Sequence, residues 1–129
     1  LGTQELAAAN SAKWQARKVQ LEFNKELANI WQDVRTSYLN VLNAKNMIIE
    51  TTDMVASTQE QVDVATTRLL EGVGTDVELI NAEKDYTSAL IDKASAIAKY
   101  NVAQAGLLRA LGKNTIANIM TKSPLGKAM

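Results

Sequence analysis

A heptad repeat through the first half of the chain restricts its fold more than any other feature. Every seventh residue from Leu27 is large and apolar, and the position three residues later is mostly small. The two sets are Leu27, Val34, Val41, Ile48, Val55, Val62, Leu69 and Ile30, Ser37, Ala44, Thr51, Thr58, Ala65, Gly72. Such sustained 3-4 spacing is typical of a coiled-coil helix. Because no proline interrupts it, the repeat predicts one long helix over about residues 3–71.

A second repeat predicts a shorter helix over about residues 76–111. Alanine recurs at every seventh position, and mostly apolar residues stand three positions earlier. The two sets are Ala82, Ala89, Ala96, Ala103, Ala110 and Leu79, Tyr86, Lys93, Tyr100, Leu107. A seam of alanines lets helix axes approach toward the short end of the usual ~8–10 Å range.

Together the two repeats predict an all-α fold, a long antiparallel helical hairpin resembling a coiled coil. The hairpin would span residues 1–112 with its turn at 72–75, and one helix would be about twice as long as the other. Residues 113–129 contain the chain's one proline and are predicted to form a basic tail, with a short helical turn at 116–120.

The unequal helices leave apolar residues of the first helix without a predicted partner inside the chain. These are Val19, Leu21, Phe23, Leu27, Ile30 and Trp31. Each helix also carries a second apolar stripe, formed by Trp31, Tyr38, Leu42, Ile49, Leu70 and by Leu90, Ile97, Leu108, Leu111. Two stripes on one helix predict neighbours on two sides, as in a closed ring or a layer of helices. We therefore expect partner chains or further segments of a longer protein to cover them.

The glycine pair in GVGTDV, residues 72–77, is predicted to be the turn of the hairpin. A dinucleotide-binding loop needs a third glycine and a preceding strand, and a Walker loop needs GK followed by Ser or Thr. Neither pattern is present. Either Gly72 or Gly74 can take the left-handed conformation that ends the first helix. Either Thr75 or Asp76 can cap the second helix, with Glu78 in its first turn.

Composition excludes most catalytic chemistry. The chain has no cysteine and no histidine, which removes thiolate and imidazole metal sites and the common nucleophile pairs. Its carboxylates lack the spacing of a calcium loop. We therefore expect no catalytic residue, no metal site, no cofactor and no enzymatic activity.

The net charge is zero, but the charges are unevenly distributed. Residues 50–92 hold ten acidic and two basic residues, a net charge of −8, whereas residues 93–129 hold six basic residues and no acidic one. The turn end of the predicted hairpin is therefore acidic. An acidic tip argues against nucleic acid as a partner, because phosphates are bound by basic surfaces.

Residues 68–112, RLLEGVGTDVELINAEKDYTSALIDKASAIAKYNVAQAGLLRALG, resemble one repeat of the TolC-type outer membrane efflux proteins. The similarity extends upstream through VRTSYLNVLNAKNMI, residues 34–48. Matching positions are Arg68, Gly72, Gly74, Thr75, Glu78, Leu79, Ile80, Asn81, Ala82, Tyr86, Tyr100, Asn101, Leu107, Ala110 and Gly112. No single motif is specific, but their order and spacing together are.

The resemblance implies a homotrimeric channel in the outer membrane of a Gram-negative bacterium. Its helical hairpins form a tunnel in the periplasm and serve efflux or type I secretion. It implies that Val73, Gly74 and Thr75 form the tip that docks a periplasmic adaptor, which connects the channel indirectly to an inner-membrane pump. Glu78 and Asn81 match acidic positions at the tunnel entrance, although Asn81 is uncharged. Asp76 replaces the arginine that forms a closing salt bridge in a well-known member, so that latch does not carry over.

The alternative reading is a non-enzymatic coiled-coil scaffold or the hairpin of a periplasmic adaptor. Either would present the same heptads and the same turn. The two readings differ in the flanking sequence: a signal peptide and a second repeat would support the channel, and a lipoyl-like β segment would support the adaptor.

Overall fold

A computed structural model describes residues 2–122 of the chain as two helices joined by one tight turn. Helix α1 spans Gly2–Leu70 and helix α2 spans Asp76–Lys122. The described residues contain no strand. The predicted all-α helical hairpin is confirmed, although the helices differ in length less than expected, with 69 residues against 47.

The chain divides into two compact units. Residues 38–106, which contain the turn, form one unit, called here the turn unit. Residues 2–37 and 107–122 are the described residues of the other, called here the end unit.

Small residues form the core of the turn unit, at the positions that the heptads predict. Its buried residues are Ala44, Thr58, Ala65, Ala82, Ala89 and Ala96. The large residues of the same heptads, such as Val41, Ile48 and Tyr86, are half-buried. Ala96 is only 1% exposed, so the facing helix lies against its methyl group. Close approach of the two backbones therefore holds this unit together.

Thr58 is the one polar residue among the buried residues of the described chain. Its hydroxyl donates a hydrogen bond to the Met54 carbonyl oxygen at 2.8 Å. Because a buried hydroxyl is costly without a partner, this bond within α1 lets threonine occupy a position that alanine fills elsewhere in the seam.

Helix α2 continues beyond the predicted end near residue 111, which corrects the predicted tail over residues 113–122. A single glycine inside a helix costs only about 1 kcal/mol relative to alanine, so Gly112 does not end it. The heptad continues through half-buried Asn114 to buried Ala117, and this contact offsets the cost. The predicted turn at 116–120 is thus part of α2, and residues 123–129 lie outside the described residues.

The continuation of α2 also corrects the expectation that the beginning of α1 lacks a partner. In the end unit, Phe23, Leu27 and Ile30 are half-buried. They line a cleft of about 400 Å³ whose other wall comes from α2, through Lys113, Ile116, Ala117 and Met120. Val19, Leu21 and Trp31 are exposed, as expected.

The second apolar stripe of each helix is exposed. Its members on α1 are Trp31, Tyr38, Leu42, Ile49 and Leu70, and its members on α2 are Leu90, Ile97, Leu108 and Leu111. None of the described helices contains a segment long and apolar enough to cross a membrane.

Candidate functional site

The turn between the helices, residues 72–75, is defined by a left-handed glycine and a set of hydrogen bonds. Gly72 has a φ of +77°, the left-handed conformation that side chains disfavour. The Gly72 N–H donates to the Leu69 carbonyl at 3.1 Å, and the Val73 N–H donates to the Arg68 carbonyl at 3.0 Å. This pair of bonds is a Schellman motif, which satisfies the last carbonyls of α1. Of the two glycines that the sequence allowed for the left-handed position, Gly72 fills it.

Gly74 is required for a different reason, namely the lack of space for a side chain. A Cβ atom on Gly74 would lie 2.9 Å from the Arg68 Cβ and 3.0 Å from the Arg68 carbonyl carbon. The Gly74 N–H also donates to the Arg68 carbonyl, at 2.9 Å. The turn therefore folds directly onto the last turn of α1, and the two glycines are not interchangeable.

Thr75 caps helix α2. Its hydroxyl accepts a hydrogen bond from the Glu78 N–H at 3.2 Å, and its carbonyl accepts the Leu79 N–H at 3.3 Å. This is N-cap geometry, with Thr75 as the cap and Asp76 as the first helical residue. Asp76 and Glu78 in the first turn also place negative charge at the positive end of the helix dipole.

The predicted docking residues differ in what they present at the tip. The Val73 side chain is 64% exposed on a backbone held by its hydrogen bonds to Arg68. Gly74 is half-buried, and Thr75 is exposed. Val77 and Ile80, in the first turns of α2, are also exposed. The tip thus combines an apolar surface with a fixed backbone.

The predicted entrance residues Asp76, Glu78 and Asn81 lie next to this tip, in the first turns of α2, and all are exposed. Glu78 and Asn81 share an open groove on one side of the turn unit with Asp85, Gln61 and Arg68. Asp92 lies in the next groove along the same side. Acidic side chains therefore recur along one face of α2 at every seventh residue, Glu78, Asp85 and Asp92, with uncharged Asn81 and Ser88 between them.

Arg68 is a member of the site that sequence reasoning identified only as a motif residue. Its Nε atom lies 3.6 Å from a Glu78 carboxylate oxygen, and its Nη2 atom donates to the Val73 carbonyl at 3.4 Å. Arg68 is one of only two basic residues in the acidic segment 50–92, and this feature of the sequence could have indicated an ion pair. Its contacts depend on the folded turn.

The described residues contain no cluster of acidic side chains suited to a metal ion. The turn end of the described chain combines an exposed apolar tip, a hydrogen-bonded turn and carboxylates along one face of α2.

Comparison with known proteins gives one family match. The sequence profile of the outer membrane efflux protein family matches residues 2–113. No curated protein and no solved structure matches the chain. The matched range contains the whole of α1, the turn and α2 as far as Lys113. The chain therefore belongs to the outer membrane efflux protein family, a family of transport channels of the TolC type, and forms part of such a channel.

Proposed function

We propose that this chain forms part of the periplasmic tunnel of a homotrimeric channel in a Gram-negative outer membrane. The channel serves tripartite efflux or type I secretion, and the turn at residues 72–75 docks the periplasmic adaptor. An inner-membrane pump supplies the energy and acts on this protein only through the adaptor. The chain itself carries no catalysis and needs no cofactor.

The structure of the turn carries this proposal. A turn that only reversed the chain would need no large apolar side chain at its tip. Here Val73 is 64% exposed, and both its N–H and its carbonyl are hydrogen-bonded to Arg68, so an apolar side chain is presented on an ordered main chain. Gly74 lets the turn lie against the end of α1, where a Cβ would meet Arg68.

The exposed stripes support the ring assembly. Leu90 and Ile97 on α2 are each 42% exposed and Ile49 on α1 is 53% exposed, so large apolar side chains lie partly in water along both helices. Burying such area is favourable by about 25 cal/mol per Å². Neighbouring hairpins in a ring are the partners that we propose for these stripes, in place of the scaffold alternative.

The acidic face supports a role at the tunnel entrance. Glu78 is the only member of the predicted entrance set that both carries charge and matches the family position, since Asn81 is neutral. Carboxylates in a ring raise the local concentration of cations and lower that of anions. We propose that Glu78, with Asp76 near it, gives the entrance this preference.

Substitution of Val73 tests the docking role. In the full-length protein, Val73→Asp should abolish most export, because a charge replaces the exposed apolar contact while the backbone turn stays intact. The measurement is the susceptibility of cells to an exported compound, in a strain that depends on this channel. A photo-crosslinking side chain at position 73 should also capture the adaptor.

Val102→Asp is the matched control, since Val102 is a valine at least as exposed, at 73%, and lies outside the turn. It should leave export near the wild-type level, and a crosslinker there should not capture the adaptor. Equal loss of export in both variants, or adaptor capture from position 102 alone, would contradict docking at the turn. Capture of an outer membrane channel instead of an adaptor would support the alternative that this hairpin belongs to an adaptor.

A further inference from the structure

Arg68 contacts Val73, Gly74 and Glu78 at the turn end of the chain. Its carbonyl oxygen accepts hydrogen bonds from the Val73 and Gly74 N–H groups. Its guanidinium reaches the Val73 carbonyl through Nη2 at 3.4 Å and the Glu78 carboxylate through Nε at 3.6 Å. One residue at the end of α1 therefore contacts both the turn and the first turn of α2.

The chemistry of the side chain suits this double contact. A guanidinium carries five N–H donors in a rigid plane, so one group can serve a carbonyl and a carboxylate in different directions. A lysine ammonium in its place would be a single point charge on a flexible stem. Arg68 and Glu78 form the only ion pair within residues 2–122.

The turn glycine accommodates the arginine. The position that a Cβ on Gly74 would occupy is 2.9 Å from the Arg68 Cβ. A side chain at position 74 would therefore displace the base of the Arg68 side chain. The close atoms are the Arg68 Cβ and the main chain, so the glycine lets the turn lie against the start of the Arg68 side chain.

We propose that Arg68 is a positioning residue that links the docking turn to the entrance charge. It holds the Val73 main chain against the end of α1, and it holds the Glu78 carboxylate beside a positive charge. Docking geometry and entrance charge then depend on the same side chain. This inference rests on the proposed function for the roles of Val73 and Glu78, but the contact itself does not.

Amide hydrogen exchange tests the contact in the full-length protein, whether or not it conducts ions. The variants are Arg68→Gln, Glu78→Gln and the double variant, and mass spectrometry follows a peptide that spans the turn. Each single variant should speed exchange about 1.5- to 5-fold, the range that a solvent-exposed ion pair supports. Because both remove the same contact, the double variant should exchange no faster than the faster single variant.

Two further variants separate positioning from charge. Arg68→Lys keeps the charge but loses the planar donors, so exchange at the turn should still become faster. Lys84→Gln removes the only other basic residue of the acidic segment 50–92, and exchange at the turn should not change. Multiplicative effects in the double variant, or wild-type exchange in Arg68→Gln, would overturn the positioning role.

Ion selectivity of the full-length channel in planar bilayers tests the link to the entrance. Removing one unit charge about 8 Å from a permeating ion changes its local concentration about two-fold in a medium as polar as water. The local chloride concentration changes by the same factor in the opposite direction, so Arg68→Gln should raise the ratio of potassium to chloride permeability at least about four-fold, and Glu78→Gln should lower it as much. The double variant should return to the wild-type ratio.

The two measurements distinguish the possible failures. If the double variant exchanges no faster than the faster single variant but the protein forms no channel in the bilayer, the contact is supported and the proposed function is contradicted. A channel whose ratio responds to Glu78→Gln but not to Arg68→Gln supports the proposed entrance and overturns the link through Arg68.

Discussion

The alanine seam of the turn unit and the turn itself connect the same two helices through different kinds of contact. The seam repeats one simple contact, a small residue against a facing helix, from Ala65 and Ala82 to Ala44. The turn uses each residue once, with Gly72 for its conformation, Gly74 for its lack of bulk and Thr75 for its hydroxyl. The seam therefore depends on residue size, whereas the turn depends on backbone geometry.

This difference teaches where each kind of substitution is harmful. Adding volume should be costly in the seam, because close-packed interiors respond to a few methylene groups. Replacing a glycine by alanine should lower the free energy of unfolding in the turn, and should leave it unchanged or raise it at glycines elsewhere. Three substitutions, from the largest expected effect to the smallest, test this contrast through the free energy of unfolding.

Ala96→Leu should have the largest effect. Ala96 is the most deeply buried residue of the described chain, and overpacking such a site typically costs about 1–3 kcal/mol. Urea unfolding followed by far-UV circular dichroism measures the loss. Ala98→Leu makes the same change at an exposed position of the same helix and should stay within about 0.5 kcal/mol of wild type. Equal losses in both variants would show that seam volume is not limiting.

Gly72→Ala should destabilise the chain by about 1–2 kcal/mol, the cost of a left-handed conformation for a residue with a Cβ. The same unfolding measurement applies. Gly112→Ala is the control, because Gly112 lies inside α2 with no heavy atom within 4 Å of an added Cβ. That variant should be more stable than wild type by up to about 1 kcal/mol. The two glycine variants should thus change stability in opposite directions, and a shared direction would contradict the assigned geometry.

Thr75→Ala should cost about 1 kcal/mol, the usual value for loss of an N-cap side chain. Thr75→Ser keeps the hydroxyl and should recover most of the loss. Thr87→Ala is the matched control, since the Thr87 hydroxyl only donates to the Glu83 carbonyl of its own helix. Thermal unfolding monitored by circular dichroism ranks the three variants. A Thr87→Ala loss as large as that of Thr75→Ala would argue against a capping role.

The sequence predicts the seam well because the seam is periodic. Each of Ala82, Ala89, Ala96 and Ala110 lies where its heptad position implies, since a repeated pattern averages over local exceptions. The predicted end of α2 near residue 111 is wrong, because the helix continues across Gly112 to Lys122. Ala117 lies seven residues after Ala110, so the alanine heptad itself extends past the predicted end, and burial of Ala117 offsets the local cost of the glycine.

The site was predictable only in part, because its contacts are set by backbone angles. The glycines and possible caps were recognisable as a turn, but the sequence left two choices for each role. The contribution of Arg68 requires the left-handed Gly72 and the close approach of Gly74, which bring Val73 back over the helix end. The spacing rules for helices and strands do not predict this backbone path of the turn.

The absence of large, fully buried side chains in the described residues has a mechanical consequence. Leucine knobs settle into discrete rotamers, and sliding one helix past another then requires those rotamers to change. Alanine has no side-chain torsion of this kind and loses no side-chain entropy on burial. Small axial shear between α1 and α2 within the turn unit therefore meets little rotamer resistance along the alanine rows. The turn, with its hydrogen bonds, joins the two helices at one end, so such sliding would be smallest beside the turn.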